Sequence, residues 1–247
     1  THLMYQVVII GAGPVGGRLA TELASRGIST LMVEEHAEIG RPFQCAGLVN
    51  PPAMQMVGLE DTILQNVDGA LIHSPSGIMV PVGKDGRIRT HVVCRKKFDQ
   101  AVVAQAMEAG AHLWLLSKPI DAEVVKNGVN IKVEREGELV DLKCNLLIGA
   151  DGAHSWTRRY FKMGRPKEMM IGFQTDVSGL SGKDNWLEMY TGRDIAPGLF
   201  AWVIPTGNNT HRIGVWSRPQ DLDGRSVEEC YDSLISHPLW KKRFAKA

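Results

Sequence analysis

The chain has 247 residues, which is enough for one large domain or two modest ones with a hydrophobic core. Hydrophobic residues make up 44% of it, and 28 basic side chains nearly balance 27 acidic ones. This composition argues against disorder and against a surface built to bind nucleic acid. No apolar run approaches the roughly 18 residues of a membrane-spanning helix. The cysteines (Cys45, Cys94, Cys144 and Cys230) form no CxxC pair, so we expect reduced thiols in a cytosolic protein, without a metal site.

The first 35 residues predict a complete βαβ unit. Residues 6–10 (QVVII) are a short β-branched run, typical of a buried parallel strand. A helical pattern follows and ends near Gly27. Residues 29–35 (STLMVEE) predict a second buried strand with acidic residues at its end.

The turn between the first strand and the helix, GAGPVG, predicts a dinucleotide site. Gly11 permits the tight turn, Gly13 leaves space for a pyrophosphate, and Gly16 lets the helix pack closely on the strand. Glu34 lies at the end of the second strand, where a carboxylate binds the ribose diol. The motif alone does not distinguish NAD from FAD, and a plain glycine-rich βα turn is the structural alternative.

The rest of the chain predicts an antiparallel meander inserted before a third buried strand. Asn127-Gly128 and a turn near Glu136-Gly137 predict two hairpins between residues 118 and 144. The remaining predicted elements are short strands over 69–93, a helix over 97–109, strands over 112–117 and 146–151, and a β-rich segment from 162 that ends in a helix with the capping box Ser226–Glu229.

The segment LLIGADGAHSWTRR, placed after the meander, resembles the Asp-Gly motif of the flavoprotein group that includes aromatic hydroxylases. Asp151, Gly152, Ser155 and Arg158 match that motif. The resemblance implies that Asp151 lies beside the flavin pyrophosphate and orients backbone N–H groups. A turn that only caps a helix is the structural alternative.

Three further segments resemble the geranylgeranyl reductases, including the digeranylgeranylglycerophospholipid reductases. The matching residues are Pro42 and Cys45 in EIGRPFQCAGLVNP, Arg95, Phe98 and Asp99 in CRKKFD, and Phe200, Trp202 and Pro205 in LFAWVIP. Two positions depart from the family pattern, Leu48 after Cys45-Ala46-Gly47 and Ile204 before Pro205. Both departures would reshape a substrate cavity without removing a charged or proton-donating group.

The resemblance implies an α/β protein: a Rossmann-like FAD-binding domain with a parallel sheet and a β-meander, joined to a β-rich substrate-binding domain. It implies that FAD contacts Gly11, Gly13, Val15, Gly16, Glu34, Cys45, Ala46, Leu48, Arg95, Ile120, Asp151 and Gly152. Phe200, Trp202 and Pro205 would bind an apolar substrate, with an ordinary core tryptophan as the alternative for Trp202. Cys45 would deliver or relay a proton, or would only pack on the flavin.

The function implied is FAD-dependent saturation of prenyl C=C bonds in geranylgeranyl lipids, with ferredoxin or NAD(P)H as electron donor. A flavin-dependent monooxygenase acting on a small apolar substrate is one alternative, and a non-catalytic FAD-binding fragment is another. The basic run KKRF beside Trp240 would allow peripheral membrane contact, although a solvated helix face is the preferred interpretation.

We expect the FAD-binding domain to comprise residues 1–68 and 94–161, and the substrate-binding domain to comprise residues 69–93 and 162–247. Members of the resembling family return to the FAD domain through a second Gly-Asp motif. The Asp-Gly pairs of this chain, such as Asp85-Gly86 and Asp223-Gly224, follow no suitable strand. We therefore expect an N-terminal portion of a longer reductase, with weak FAD affinity and no activity on its own.

Overall fold

The computed structural model describes residues 3–83 and 85–247. The helices of this described part are α1 (Pro14–Ala24), α2 (Pro51–Val57), α3 (Arg95–Glu108), α4 (Trp156–Tyr160), α5 (Val227–Ser236) and α6 (Lys241–Phe244). Its strands are β1 (Leu3–Ile10), β2 (Thr30–Val33), β3 (Leu48–Val49), β4 (Ile63–Val67), β5 (Gly69–His73), β6 (Met79–Val82), β7 (Thr90–Val93), β8 (His112–Trp114), β9 (Ser117–Val125), β10 (Gly128–Arg135), β11 (Glu138–Gly149), β12 (Ile171–Ser178), β13 (Trp186–Tyr190), β14 (Ala201–Gly207) and β15 (Thr210–Ser217).

The chain divides into two compact units. The first contains Thr1–Gln44 and Arg95–Arg165, and the second contains Cys45–Cys94 and Pro166–Ala247. These divisions differ from the domain boundaries expected from the sequence, because residues 45–68 belong to the second unit. Their strands β3 and β4 both pair with β7, and this pairing ties the segment to its own small three-stranded sheet.

The first unit is built on a six-stranded sheet in the order β8-β2-β1-β11-β10-β9. Parallel pairs join β8, β2, β1 and β11, whereas β11, β10 and β9 form an antiparallel meander. The predicted βαβ unit and both predicted hairpins are confirmed, and with them the α/β, Rossmann-like class. A parallel strand order of this kind brings the carboxyl ends of β1, β2 and β11 to one edge.

One strand is longer than predicted. The sequence predicts hairpins that end at residue 144 and a separate strand over 146–151, but β11 is continuous from Glu138 to Gly149. Its first part pairs with β10 and its later part pairs with β1. Because a neighbouring strand is available along its whole length, the chain stays extended through Asn145 and does not turn.

Alternation along β1 divides the core of the first unit in two. Val7 and Ile9 pack in the cluster that contains Ala20 of α1 and Val103 of α3. The intervening Val8 and Ile10 pack with buried residues of the meander. Side chains of a strand point alternately to opposite faces, so one β-branched run supplies both clusters.

The second unit contains a six-stranded sheet in the order β12-β15-β14-β13-β5-β6. One face is covered by α5 and α6, whose buried residues pack on Ala201 and Val203 of β14. The alternate residues Trp202 and Ile204 point to the other face. The predicted capping box at the start of α5 is confirmed, because Ser226 Oγ accepts from the Glu229 N–H at 3.1 Å and the Glu229 carboxylate accepts from the Ser226 N–H at 2.7 Å.

A buried ionic cluster lies on the helix-covered face. The Tyr190 hydroxyl and Arg243 Nη2 donate to the Glu188 carboxylate at 2.7 and 2.6 Å, and the His73 ring stacks on Tyr190 at 4.3 Å. Burial raises the pKa of Glu188, but the nearby His73 Nε2 at 3.3 Å, the hydrogen bonds from Arg243 and Tyr190 and the charge of Arg243 outweigh burial and lower that pKa to about 2.

The C-terminal basic run is only partly solvated. Lys241 and Lys242 are exposed, as the interpretation of a solvated helix face requires. That interpretation is wrong for its other members, since Phe244 and the neighbouring Trp240 lie in the core and Arg243 binds Glu188. The apolar side chains proposed for membrane contact therefore pack against their own sheet.

Candidate functional site

The glycine turn follows β1 and opens α1, within the first unit. Gly11 has a φ of +98°, which favours glycine, and a Cβ there would lie 2.5 Å from the Ala150 carbonyl oxygen. A Cβ on Gly16 would lie 2.1 Å from the Gly11 carbonyl oxygen. Both glycines are thus required by the close approach of backbone segments in the folded chain itself.

Gly13 differs from both. Its φ is −76°, which any residue adopts, and a Cβ there would meet no atom of the described residues within 4 Å. It directly precedes Pro14, the first residue of α1, and no side chain caps this helix N-terminus. Val15 in the first turn is 70% exposed. An uncapped helix N-terminus beside open space fits a pyrophosphate group such as that of FAD.

Glu34 follows β2 and lies against the glycine turn. Its Oε2 accepts a hydrogen bond from the Ala12 N–H at 3.0 Å. Its Oε1 accepts from the His36 N–H at 3.1 Å and lies 2.6 Å from His36 Nδ1. The side chain is only 14% exposed. A carboxylate fixed at this edge has the placement that ribose binding requires, and that role stays a prediction.

The Asp-Gly motif meets the glycine turn from β11. Asp151 Oδ2 accepts from the backbone N–H and the hydroxyl of Thr157, at 2.9 and 3.0 Å. Ser155 Oγ accepts from the Arg158 N–H at 2.9 Å and caps α4. The segment that contains the Asp-Gly motif therefore does cap a helix, as the structural alternative in the sequence analysis proposed. Because a Cβ on Gly11 would lie 2.9 Å from the Asp151 Cα, the motif also borders the predicted pyrophosphate position.

The R-x-x-F-D segment forms the start of α3. Arg95 donates to the Asp99 carboxylate through Nε and Nη2, at 2.8 and 3.0 Å. Asp99 and Phe98 are both buried, so the pair fixes the direction of the guanidinium. Ile120 is 37% exposed on β9. The proposed contacts of Arg95 with the pyrophosphate and of Ile120 with the adenine stay predictions.

Cys45, Ala46 and Leu48 belong to the second unit. Cys45 is half-buried, and the Gly47 N–H donates to its Sγ at 3.5 Å. Gly47 has a φ of +79°, and its carbonyl accepts from the Val93 N–H at 2.8 Å. Leu48 then starts β3 and is 39% exposed. The predicted flavin-contacting residues thus form one tight turn that is tied to β7.

An aromatic surface covers the sheet face of β14 and β15 that points away from α5 and α6. The Trp202 ring lies over Gly214, where a Cβ would meet ring atom Cζ2 at 2.2 Å. Trp216 contacts Trp202 and Phe200 edge-on, with ring centroids 6.1 and 5.3 Å apart. Strand alternation turns Pro205 toward the opposite face. The structure therefore brings two of the three predicted substrate residues together.

Two residues of this face, Gln174 and Gly214, escaped the sequence analysis. Ile204, one of the two departures from the family pattern, is fully buried in the cluster that Trp202 and Ala46 contact. Gly214 and Gln174 face Trp202 in register across β15 and β12. Period-two alternation could have assigned the face of Ile204, but no local pattern indicates which strands are neighbours.

The comparisons with known proteins agree with this geometry. The strand order and the glycine turn define a dinucleotide-binding domain with an inserted meander. A family model described as FAD binding domain matches residues 4–239. The chain belongs to this family of FAD-binding domains, and the prediction of FAD as cofactor is confirmed.

The relatives support the narrower resemblance. The chain is 31% identical over 251 residues to a digeranylgeranylglycerophospholipid reductase of Methanocaldococcus jannaschii, covering 99% of this chain and 62% of the relative. It is 32% identical to digeranylgeranylglycerophospholipid reductase 1 of Methanococcoides burtonii, covering 85% of this chain and 54% of the relative. The predicted resemblance is confirmed, and the chain spans about 60% of the length of these relatives.

Solved structures agree with the fold. A geranylgeranyl bacteriochlorophyll reductase-like protein of Thermoplasma acidophilum superposes with a TM-score of 0.85 at 26% identity, covering 98% of this chain and 64% of that protein. A flavin-dependent brominase superposes with a TM-score of 0.78 at 19% identity, covering 98% of this chain and 64% of that one, and shares the fold alone. Among the described residues, no helix is long and apolar enough to cross a membrane.

Proposed function

We propose that this protein is an FAD-dependent oxidoreductase that saturates prenyl C=C bonds of geranylgeranyl lipids. The observation that carries the proposal is the similarity, along 99% of the chain, to a relative named digeranylgeranylglycerophospholipid reductase. The proposal assigns one role to the glycine turn of the first unit and another to the aromatic face of the second. One would hold the cofactor and the other would hold an apolar chain.

The residues proposed to hold FAD divide by the type of group they contact. Gly13 and the start of α1 would take the pyrophosphate, Glu34 the ribose diol, and Arg95 would add a charge-assisted donor. Cys45, Ala46 and Leu48 would approach the flavin ring.

The aromatic face supplies orientation and dryness. An isolated prenyl double bond is not polarised, so its reduction requires hydride at one carbon and a proton at the other. Reduced FAD, when bound, supplies the hydride. Phe200 and Trp202 would align the prenyl chain and exclude water, because aromatic side chains offer large apolar contact areas with defined geometry.

Cys45 is the proposed proton donor. Its S–H bond would break as the second C–H bond forms, and the thiolate would recover a proton from water. Replacing Cys45 with Ala should abolish or strongly slow alkene reduction while FAD content stays unchanged. Full activity in Cys45→Ala with normal FAD content would leave Cys45 a packing role only, and bound water would then be the proton source.

The direct test uses the FAD-loaded full-length protein, because the 247 residues alone are expected to bind FAD weakly and to be inactive. It is reduced with dithionite in the absence of oxygen and mixed with a geranylgeranyl lipid. Mass spectrometry should detect products that have gained two hydrogens per reduced bond. Parallel reactions with reduced ferredoxin or NAD(P)H identify the electron donor. A hydroxylated product formed only with oxygen would indicate a monooxygenase, and bound FAD without either product would indicate a non-catalytic FAD-binding module.

A further inference from the structure

The turn at Cys45–Gly47 is held by contacts to three strands. The Cys45 carbonyl accepts from Gln174 Nε2 of β12 at 3.1 Å, and the Ala46 carbonyl accepts from Arg212 Nη1 of β15 at 2.6 Å. The Gly47 carbonyl accepts from the backbone N–H of Val93 in β7 at 2.8 Å. Three consecutive carbonyl oxygens are therefore anchored separately, which is more than a surface turn needs to satisfy its backbone.

Arg212, whose side chain donates to the Ala46 carbonyl, is almost completely buried. It is 2% exposed, and its Nε donates to Asp176 Oδ1 at 2.9 Å. The Asp176 side chain is 58% exposed, so the buried guanidinium is paired with a largely solvated carboxylate. Burying a charge costs free energy unless every donor is used well, and the Ala46 carbonyl uses one of them.

The absence of a side chain at Gly47 leaves space for the Arg212 guanidinium. A Cβ at this position would lie 2.8 Å from Arg212 Nη1 and 2.4 Å from the Val93 carbonyl oxygen. The turn thus has room for Arg212 only because residue 47 has no side chain. The same residue directs its N–H at Cys45 Sγ, at 3.5 Å, so the anchored backbone also fixes the surroundings of the thiol.

Gln174 connects the turn to the aromatic face. It lies opposite Gly214 in the β12–β15 register, and Gly214 lies opposite Trp202 in the next strand pair. A Cβ on Gly214 would meet both the Trp202 ring and the Gln174 Cβ, the latter at 2.9 Å. The Gln174 side chain therefore lies in the cross-strand row of Gly214 and Trp202, and it also donates to the carbonyl of Cys45.

We propose that Gln174 and Arg212 are positioning residues that fix the Cys45–Gly47 turn, and with it the Cys45 thiol, in the conformation used for the proposed reduction. The inference rests on the proposed function for its catalytic meaning but on the hydrogen bonds for its structural content. Neither residue needs to touch substrate or cofactor. The amide and the guanidinium act through the backbone of the turn.

The test replaces Gln174 with Glu, which keeps the shape but cannot donate to the Cys45 carbonyl. Hydrogen exchange measured by mass spectrometry should accelerate in peptides that contain residues 45–48 and 91–93, several-fold and up to about tenfold for one lost hydrogen bond. Alkylation of Cys45 by iodoacetamide should accelerate by a similar factor. Gln55→Glu, the same charge change at an exposed position of α2, should alter neither rate.

Arg212 gives a graded second test. Arg212→Lys keeps the charge but offers a single ammonium for Ala46 and Asp176, so its effect should be smaller than that of Arg212→Met. Arg193→Lys, at an exposed ion pair with Asp223, is the matched control. Unchanged exchange and alkylation in Gln174→Glu and in both Arg212 variants would overturn the positioning role.

Turnover separates this inference from the proposed function. If both hold, Gln174→Glu should lower kcat for alkene reduction while KM, FAD content and melting temperature stay near the parent values. Faster exchange in a full-length protein that reduces no prenyl lipid would overturn the function and keep the positioning of the turn. Unchanged exchange in Gln174→Glu, when the parent protein does reduce the lipid, would overturn the positioning of the turn and keep the function.

Discussion

The two units carry their candidate sites in different ways. In the first, the glycine turn acts through backbone atoms of one short segment, helped by Glu34 and Asp151 at neighbouring strand ends. In the second, the Gln174 side chain donates to the backbone carbonyl of Cys45, and Trp202 packs in the cluster that Ala46 also contacts, so three distant segments meet. A site made of backbone conformation leaves a contiguous sequence signature, whereas a site made of cross-strand contacts leaves none that a single segment contains.

The glycines sharpen this contrast, because each has a different neighbour. Gly16 faces the backbone of its own turn, Gly214 faces the Trp202 ring, and Gly13 faces open space. Adding one methyl group at each position therefore separates a cost to the fold, a cost to the aromatic surface and a cost to ligand binding.

The largest effect is expected for Gly16→Ala. Its Cβ would lie 2.1 Å from the Gly11 carbonyl oxygen, so α1 would have to move away from β1. We expect a loss of about 4 kcal/mol in the free energy of unfolding, at the high end for single substitutions, measured by denaturant titration. A loss below about 0.5 kcal/mol, the range of neutral surface changes, would contradict the close approach.

The ionic cluster on the helix-covered face predicts acid sensitivity. The pKa of Glu188 is lowered in the folded state, so its stabilising contribution is present above the unfolded pKa and is lost as pH falls through the folded pKa of about 2. As the pH falls from about 4.5 to about 2, protonation of Glu188 should lower the free energy of unfolding by about 3 kcal/mol. Glu188→Gln should flatten that part of the pH–stability curve, and an unchanged slope would refute the assignment.

A smaller effect is expected for Gly214→Ala. The added Cβ would meet the Trp202 ring at 2.2 Å, and a ring is easier to displace than backbone. We expect a loss of about 2 kcal/mol in stability, as for other overpacked sites, with a shift in tryptophan emission. Gly224→Ala is the matched stability control, because its Cβ would meet no described atom although its φ of +83° adds backbone strain. Equal losses and no emission shift would mean that Trp202 does not rest on Gly214.

Much of the first unit follows from the sequence because its determinants are local. The glycine turn, the end of α1 near Gly27 and the hairpin at Asn127-Gly128 each reflect a few adjacent residues. Glu34 could be placed from its spacing after the glycine turn and its position at the end of the second predicted strand. The continuity of β11 could not, since it depends on β1 and β10 both being available as partners.

The second unit was predicted less well for the same physical reason. The role of Arg212 depends on the Ala46 carbonyl, 166 residues away in the chain, and Gln174 depends on Cys45, 129 residues away. Trp240 looked like a surface residue beside a basic run, yet it packs in the core, and Arg243 of the same run has a buried acidic partner. Pairings of this kind depend on which distant elements become neighbours, and composition or periodicity cannot find them.

The smallest effect on stability, and the most informative effect on binding, is expected for Gly13→Ala. Its φ suits alanine and its Cβ would meet no described atom, so the unfolding free energy should change by less than about 0.5 kcal/mol. The methyl group would occupy the space that the pyrophosphate needs, so FAD affinity should fall at least about tenfold, the factor that corresponds to roughly 1.4 kcal/mol.

Titration of FAD into the parent chain and into Gly13→Ala, followed by flavin fluorescence and paired with denaturant unfolding of both, tests the cofactor site most directly. The account predicts weakened FAD binding in a variant that is as stable as the parent. Equal FAD affinity in the two proteins would contradict the assignment of the glycine turn to the pyrophosphate.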